Sequence, residues 1–112
     1  MKMNQIDTEY NLLKILKDNP EMTQRQLSKE LGLSLGKTNY VLHAFIDKGL
    51  MKLSHFKRSD NKIGYLYLLT PEGIEEKSIL AKKFLRRKSF EYNRLKTEIK
   101  ILKNELLEKE SK

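Results

Sequence analysis

Leu35, Gly36, Lys37, Asn39, Tyr40 and His43 crowd apolar, cationic and hydrogen-bonding groups into nine consecutive positions. An asparagine amide offers a donor beside an acceptor, which matches the adenine edge in a DNA major groove, and a leucine can touch a thymine methyl. A lysine ammonium suits phosphate, a contact that positions a protein without specifying sequence. Tyr40 and His43 can reach either a base or a phosphate, Ser34 stands just ahead, and Gly36 permits close backbone approach. No arginine joins them, so the commonest guanine contact is missing. The competing reading is an ordinary solvated helix face. A second cationic set, Lys57, Arg58 and Lys62, falls in a polar run that can approach a narrow minor groove or its backbone; the alternative there is a solvated turn. A third, Lys82, Lys83, Arg86, Arg87 and Lys88, either meets flanking phosphates or keeps an exposed helix soluble.

These groups point to binding rather than to catalysis. The chain has 112 residues, enough for one domain with an appended element. Charged residues make up 34% of it and the net charge is +8, which favours an anionic partner. Without cysteine there is neither a disulfide nor a Cys-based zinc site, and His43 and His55 are the only histidines. The acidic residues have no histidine or cysteine at a catalytic spacing, so neither an enzyme nor a cofactor is expected. No apolar run approaches the roughly 18 residues of a membrane span. Met1 to Tyr10 lacks the apolar stretch of a secretory signal, so the expectation is a cytoplasmic protein with no membrane partner.

The elements that must position these side chains are marked by local signals. Tyr10, Leu12, Leu13, Ile15 and Leu16 give one apolar face to a helix over Asp7 to Lys17, closed by Asn19-Pro20. Thr23 and Gln26 form the capping-box pattern of a second helix that Gly32 ends. Gln24 is a further phosphate candidate there, whereas capping is preferred for Gln26. Ser34 caps a third helix to about Lys48, with Thr38, Val41, Leu42 and Phe45 turned inward and Gly49 beyond its end. Two helices joined through a glycine turn are the helix-turn-helix signal. From Leu50 to Phe56 the pattern is a strand, with Met51, Leu53 and His55 on one side, and Tyr65 to Leu69 is the returning strand. The hairpin tip between them is basic, which makes the arrangement a winged helix.

Thr70-Pro71-Glu72 opens a last helix, with Gly73 a cost at an otherwise good start. No further Gly or Pro follows, so it runs to about Leu107, roughly 50 Å, too long for so small a domain to cover. Leu85, Tyr92, Ile99 and Leu106 fall at heptad position a, and Ala81, Lys88, Leu95 and Leu102 at d. The seam is unbroken from Leu95 onward, which predicts a coiled coil over about 92–107 and a homodimer. Glu91 and Glu98 at g would face Lys96 and Lys103 at e in a parallel pair, whereas Glu105 would face Glu110, a modest preference for the parallel arrangement. Ile79, Leu80, Phe84 and Phe90 lie outside the seam, and Ile74, Leu80 and Phe84 are expected to seat the helix on its own domain.

The chain resembles the small MarR-type winged-helix regulators of the exopolysaccharide-associated family. The likeness rests on Thr23-Gln24-Arg25-Gln26-Leu27, on Leu33-Ser34-Leu35-Gly36-Lys37-Thr38-Asn39-Tyr40 and on Asn61-Lys62-Ile63-Gly64-Tyr65. It continues through Leu68-Leu69-Thr70-Pro71-Glu72-Gly73-Ile74-Glu75-Glu76-Lys77 and covers roughly residues 10–100. The Gly36-Lys37-Thr38 within it is no phosphate-binding loop, because it sits inside a helix and lacks the upstream glycine pattern. The resemblance implies a homodimeric regulator of double-stranded DNA found near genes for exopolysaccharide synthesis. Larger MarR-type proteins often bind phenolic ligands between dimerisation helices and wing domain; this chain departs from them in lacking their longer N-terminal dimerisation region, so no effector carries over. The expected fold is therefore mainly α with a small β-hairpin. Residues 7–70 form the winged helix-turn-helix domain and 71–110 the dimerisation helix. The alternatives are a winged-helix protein-interaction module and a non-specific architectural DNA-binding protein.

Overall fold

A computed structural model describes residues 5–57, 60 and 63–110. The order is α1 (Gln5–Asp18), α2 (Gln24–Leu31), α3 (Leu35–Asp47), β1 (Met51–Lys57), β2 (Ile63–Leu69) and α4 (Pro71–Glu110). This is the expected fold class, a mainly helical winged helix-turn-helix with a small hairpin and a long C-terminal helix. The starts of α2 and α3 carry their predicted caps, while α1 begins at Gln5, two residues before the expected Asp7. Thr23 Oγ1 accepts from Gln26 N–H at 3.1 Å while Gln26 Oε1 accepts from Thr23 N–H at 3.0 Å, closing the capping box. Ser34 Oγ accepts from Lys37 N–H at 3.1 Å. Gly32 ends α2 at φ 66° and Gly49 follows α3 at φ 75°, both left-handed turns that a side chain would strain.

The three short helices converge on Leu12, Leu13, Leu16, Leu27, Leu31, Leu42 and Phe45, all buried. Thr38, fully buried among them, meets Ser28: the Ser28 hydroxyl lies 2.7 Å from Gln24 C=O and 2.9 Å from Thr38 Oγ1, and Thr38 Oγ1 lies 2.9 Å from Ser34 C=O. Two hydroxyl protons thus serve three contacts, one of which, Ser28 to Thr38, joins α2 to α3 as a polar pin inside an apolar core. The hairpin pairs antiparallel from Met51↔Leu69 to Lys57↔Ile63, so β2 begins two residues earlier than Tyr65. Met51 and Tyr67 are buried where the helices cover the sheet; Leu53 and His55, on the same side, are exposed because the hairpin runs beyond that cover. His55 lies edge-on to Tyr65, its cross-strand partner, with ring centroids 5.1 Å apart.

The start of α4 crosses the start of β1. Thr70 N–H donates to Leu50 C=O at 3.1 Å, Thr70 Oγ1 donates to Gly49 C=O at 2.6 Å, and the same oxygen accepts from Gly73 N–H at 3.0 Å. Gly73 therefore faces the Leu50 carbonyl, and a Cβ placed on it would stand 1.9 Å from that oxygen. What sequence pattern treats as a cost in the first turn is here a steric requirement. Ile74, one residue further and roughly 100° around the helix, is turned off the domain and remains 48% exposed, correcting the expectation that it seats α4. Leu80 is buried and Phe84 packs on Tyr10 at 5.0 Å between ring centroids, as expected of both.

One tie between α1 and α4 is ionic. Arg87 Nη2 lies 2.6 Å from Asp7 Oδ2, with the Asp7 side chain 5% and the Arg87 side chain 32% exposed. Asp7 Oδ1 and Arg87 Nη1 are buried without a hydrogen-bond partner among the described residues, which lessens the net value of the pair. Removing only one partner is nevertheless costly, because it strands the other charge. Arg87→Ala is expected to destabilise the fold by about 1–3 kcal/mol in urea unfolding, a range discounted for the partial exposure of Arg87. The Asp7→Ala/Arg87→Ala double variant is expected to lose less than the sum of the single losses.

Candidate nucleic-acid interface

The helix-turn-helix geometry follows from the turn at Gly32, Leu33 and Ser34. Leu33 N–H donates to Ser28 C=O at 3.0 Å, and the Ser28–Thr38 contact fixes α3 against α2. With Thr38, Leu42 and Phe45 committed to the core, helical periodicity sends Gly36, Tyr40 and His43 to the opposite side. Tyr40 is 70% and Leu35 47% exposed, a large exposed area for side chains of their size. Lys37 places its ammonium 5.8 Å from the centre of the Tyr40 ring. Gly36 has no atom within 4 Å of where its Cβ would lie, so nothing inside the protein demands glycine there. Ser34 acts as the helix cap, with its hydroxyl oxygen bonded to the Lys37 amide.

Asn39 sits differently from its neighbours. It is half-buried at the α2 edge of this face, and its Nδ2 donates to Gln24 Oε1 at 3.2 Å. Gln24 Nε2 in turn donates to the Tyr67 hydroxyl at 3.1 Å. The sequence gives separate roles to Asn39 and Gln24; the structure bonds them directly and ties Gln24 onward to Tyr67, 43 positions away on β2. Gln24 and Tyr67 also line an open groove of about 850 Å³ between the start of α2 and the hairpin, together with Met22, Leu53, Phe56 and Tyr65.

Of the wing candidates, Lys57 is exposed at the end of β1, while Arg58 and Lys62 lie outside the described residues. The structure thus brings Leu35, Gly36, Lys37, Tyr40 and His43 to one surface, sets Asn39 at its margin, and carries Lys57 on the adjoining hairpin. Of the basic block on α4, Lys82, Lys83, Arg86 and Lys88 are exposed, whereas Arg87 is tied to Asp7. Among the described residues no group of three or more His, Asp or Glu could hold a metal ion, and no helix is long and apolar enough to cross a membrane.

The far half of α4 has no intramolecular cover: every described residue from Tyr92 onward is exposed. Leu85, Tyr92, Leu95, Ile99, Leu102 and Leu106 stand 51–65% exposed. Ile79 and Phe90, outside this stripe, are exposed as well. The glutamates beside the stripe bond within their own helix, Glu91 to Arg87 at 3.3 Å and Lys88 at 3.4 Å, and Glu98 to Arg94 at 3.4 Å. The hydrogen bond from Lys88, with the positive charges of Lys88 and Arg87, holds the Glu91 carboxyl below its usual pKa.

Residues 7–50 match a family model described as winged helix-turn-helix DNA-binding. No curated protein sequence matches the chain. Among solved structures, it is similar to the PcaV transcriptional regulator from Streptomyces coelicolor, a protein in complex with its natural ligand (22% identity, 76% of this chain and 57% of that one, TM-score 0.58). It is also similar to a PadR-like transcriptional regulator from Bacillus cereus (19% identity, 78% and 89% covered, TM-score 0.69). A MarR protein from Peptoclostridium difficile aligns over 92% of this chain and 66% of its own, at 22% identity and TM-score 0.65. The chain spans 57% of the length of the Streptomyces regulator. At these identities the likeness is one of fold, the winged-helix fold of MarR- and PadR-type transcriptional regulators.

Proposed function

We propose that the chain is a sequence-specific regulator of transcription that binds double-stranded DNA as a homodimer. The observation that carries this reading is the face of α3, where Leu35, Lys37, Tyr40 and His43 stand exposed on a helix whose opposite side is locked into the core. A second helix-turn-helix segment of this kind enters a major groove with its early residues at the base edges. Lys37 and Lys57 supply phosphate contacts, and the net charge of +8 draws the protein to the polyanion. Arg58 and Lys62 extend the wing contact in this reading, and Asn39 reads a base from the margin of the helix.

Dimerisation completes the site, since one winged helix reads only a half-site. The apolar stripe on α4 from Leu85 to Leu106 is the surface that pairs, in parallel, with a second copy. The narrower form of this reading, control of exopolysaccharide genes from the cytoplasm, rests on the resemblance carried by Leu33 to Tyr40 and Leu68 to Lys77.

Fluorescence anisotropy tests the proposal, with the duplex from upstream of the gene and a scrambled duplex titrated across a salt series. A preference of about 10³-fold or more for one duplex is the expected result. Equal binding to both, falling steeply with salt, would reduce the interaction to phosphate attraction.

A further inference from the structure

We propose that Gln24, backed by the Tyr67 hydroxyl, is a positioning residue that sets which way round the Asn39 amide is presented, and hence which base that amide prefers. The inference rests on the reading of α3 as the DNA-reading helix.

The three side chains form one relay across three elements. Asn39 Nδ2 donates to Gln24 Oε1 at 3.2 Å, and Gln24 Nε2 donates to Tyr67 Oη at 3.1 Å. Its far end is anchored: Tyr67 is 6% exposed, and its backbone N–H donates to Pro20 C=O at 3.0 Å. The middle is anchored too, because Gln24 is the first residue of α2, directly after the Thr23 capping box. Asn39 is the end left at the protein surface.

An amide has a donor end and an acceptor end of nearly the same shape, so only its hydrogen-bond partners decide which end goes where. In this relay Gln24 offers Asn39 an acceptor. One Nδ2 hydrogen is thereby consumed, while the other hydrogen and Oδ1 remain, the donor–acceptor pair that the N7 and N6 groups of adenine require. Inverting the relay, with Tyr67 donating to Gln24 and Gln24 donating to Asn39, would exchange donor and acceptor on that edge and mismatch the same base. A freely rotating asparagine would sample both arrangements. Gln24 holds one of them, the arrangement in which Tyr67 Oη accepts from Gln24 Nε2, and so converts a permissive amide into a selective one; the hold comes from α2 and the wing strand behind it rather than from α3.

A merely structural tie predicts something different: weaker folding and a uniform loss of affinity for every duplex. The test therefore reads preference rather than affinity. Wild-type protein selects its best duplex from a random pool, and Asn39→Ala identifies the base pair whose preference depends on that residue. Four duplexes differing only there are then titrated against Gln24→Met, which keeps the side-chain length and removes both polar atoms, and against Gln24→Glu, which keeps only the accepting function. The expected result for Gln24→Met is a preference at that base pair falling from about tenfold to about twofold, with other positions unchanged. Gln24→Glu is expected to keep the preference while all four affinities fall together, because its charge repels phosphate.

Full preference retained in Gln24→Met, or preference lost evenly at every position, overturns the proposal. Asn39→Ala changing no position overturns the role of Asn39 itself. A pool that yields no preferred duplex overturns the DNA-reading assignment beneath both.

Discussion

Glutamate at both Ile99 and Leu102 is expected to turn the protein into a monomer whose DNA affinity is about 10²- to 10⁴-fold lower, the range by which linked half-site binding exceeds a single contact. The two positions are neighbouring a and d sites in the middle of the stripe that the domain leaves uncovered. Ile99 is 51% and Leu102 57% exposed on the lone helix, so pairing has most of an apolar side chain to gain at each. Burying such a side chain fully is worth about 1.5–3 kcal/mol, and a dimer collects the gain on both helices. A carboxylate at the same place meets its own copy across the seam, in surroundings that disfavour any unpaired charge. The upstream seam gives little in compensation, since Lys88 at d is drawn out to Glu91 and Tyr92 carries a polar tip. Sedimentation equilibrium reads the assembly state and anisotropy on the selected duplex reads affinity. Leu107→Glu is the control: Leu107 is 62% exposed but lies off the seam, so this variant should remain a dimer. A stable dimer of full affinity with both seam positions charged would sink the coiled-coil role.

Gly73→Ala is expected to cost about 3 kcal/mol or more of stability, while Gly36→Ala raises it by about 0.4–1 kcal/mol. Both glycines occupy first turns of helices, where propensity alone would favour alanine equally. Their surroundings separate them. The added methyl at Gly36 meets nothing within 4 Å, whereas at Gly73 it would stand 1.9 Å from the Leu50 carbonyl oxygen. That oxygen is not free to retreat, because it accepts from Thr70 N–H at 3.1 Å, at the junction where β2 passes into α4. Relief would have to come from tilting α4 away, which would loosen Leu80 and Arg87 further along. Thermal melts should show Gly73→Ala lower by more than about 10 °C. Gly36→Ala should melt at or above wild type, and any loss of DNA affinity in it would then report close backbone approach rather than unfolding.

What the sequence reveals here is what short-range physics controls. The capping box at Thr23, the Ser34 cap, the glycine turns after α2 and α3, and the Thr70-Pro71 start involve groups within a few residues of one another, and each forms as its pattern predicts. The inward choice of Thr38, Leu42 and Phe45 is equally local, and it fixes which face of α3 is left for a partner. The rest depends on distant pieces meeting. Asp7 and Arg87 are 80 residues apart, and Arg87 reads as one of a basic block turned to phosphate or solvent; nothing in either neighbourhood announces a buried pair. Gly73 looks like a defect until β1 is laid across it. Ile74 fits an apolar pattern but falls on the wrong side of that crossing. Asn39 is correctly singled out by residue type, yet its tie to Gln24 and Tyr67 exists only once the hairpin folds back towards α2.

The junction at Thr70 has one more consequence. The chain leaves β2 and enters α4 without a linker, and α4 continues unbroken to Glu110. The heads proposed to read DNA and the seam proposed to join them therefore share one continuous helix, and their relative angle is a matter of phase. Each residue added between the part of α4 that grips α1 and the part that pairs would rotate one copy by about 100° about that helix. Adding a full heptad would turn it only about 20° and carry the heads about 10 Å further from the seam along the axis. The spacing and orientation of half-sites such a dimer accepts would thus be encoded as a residue count along α4, independently of any side chain that touches DNA.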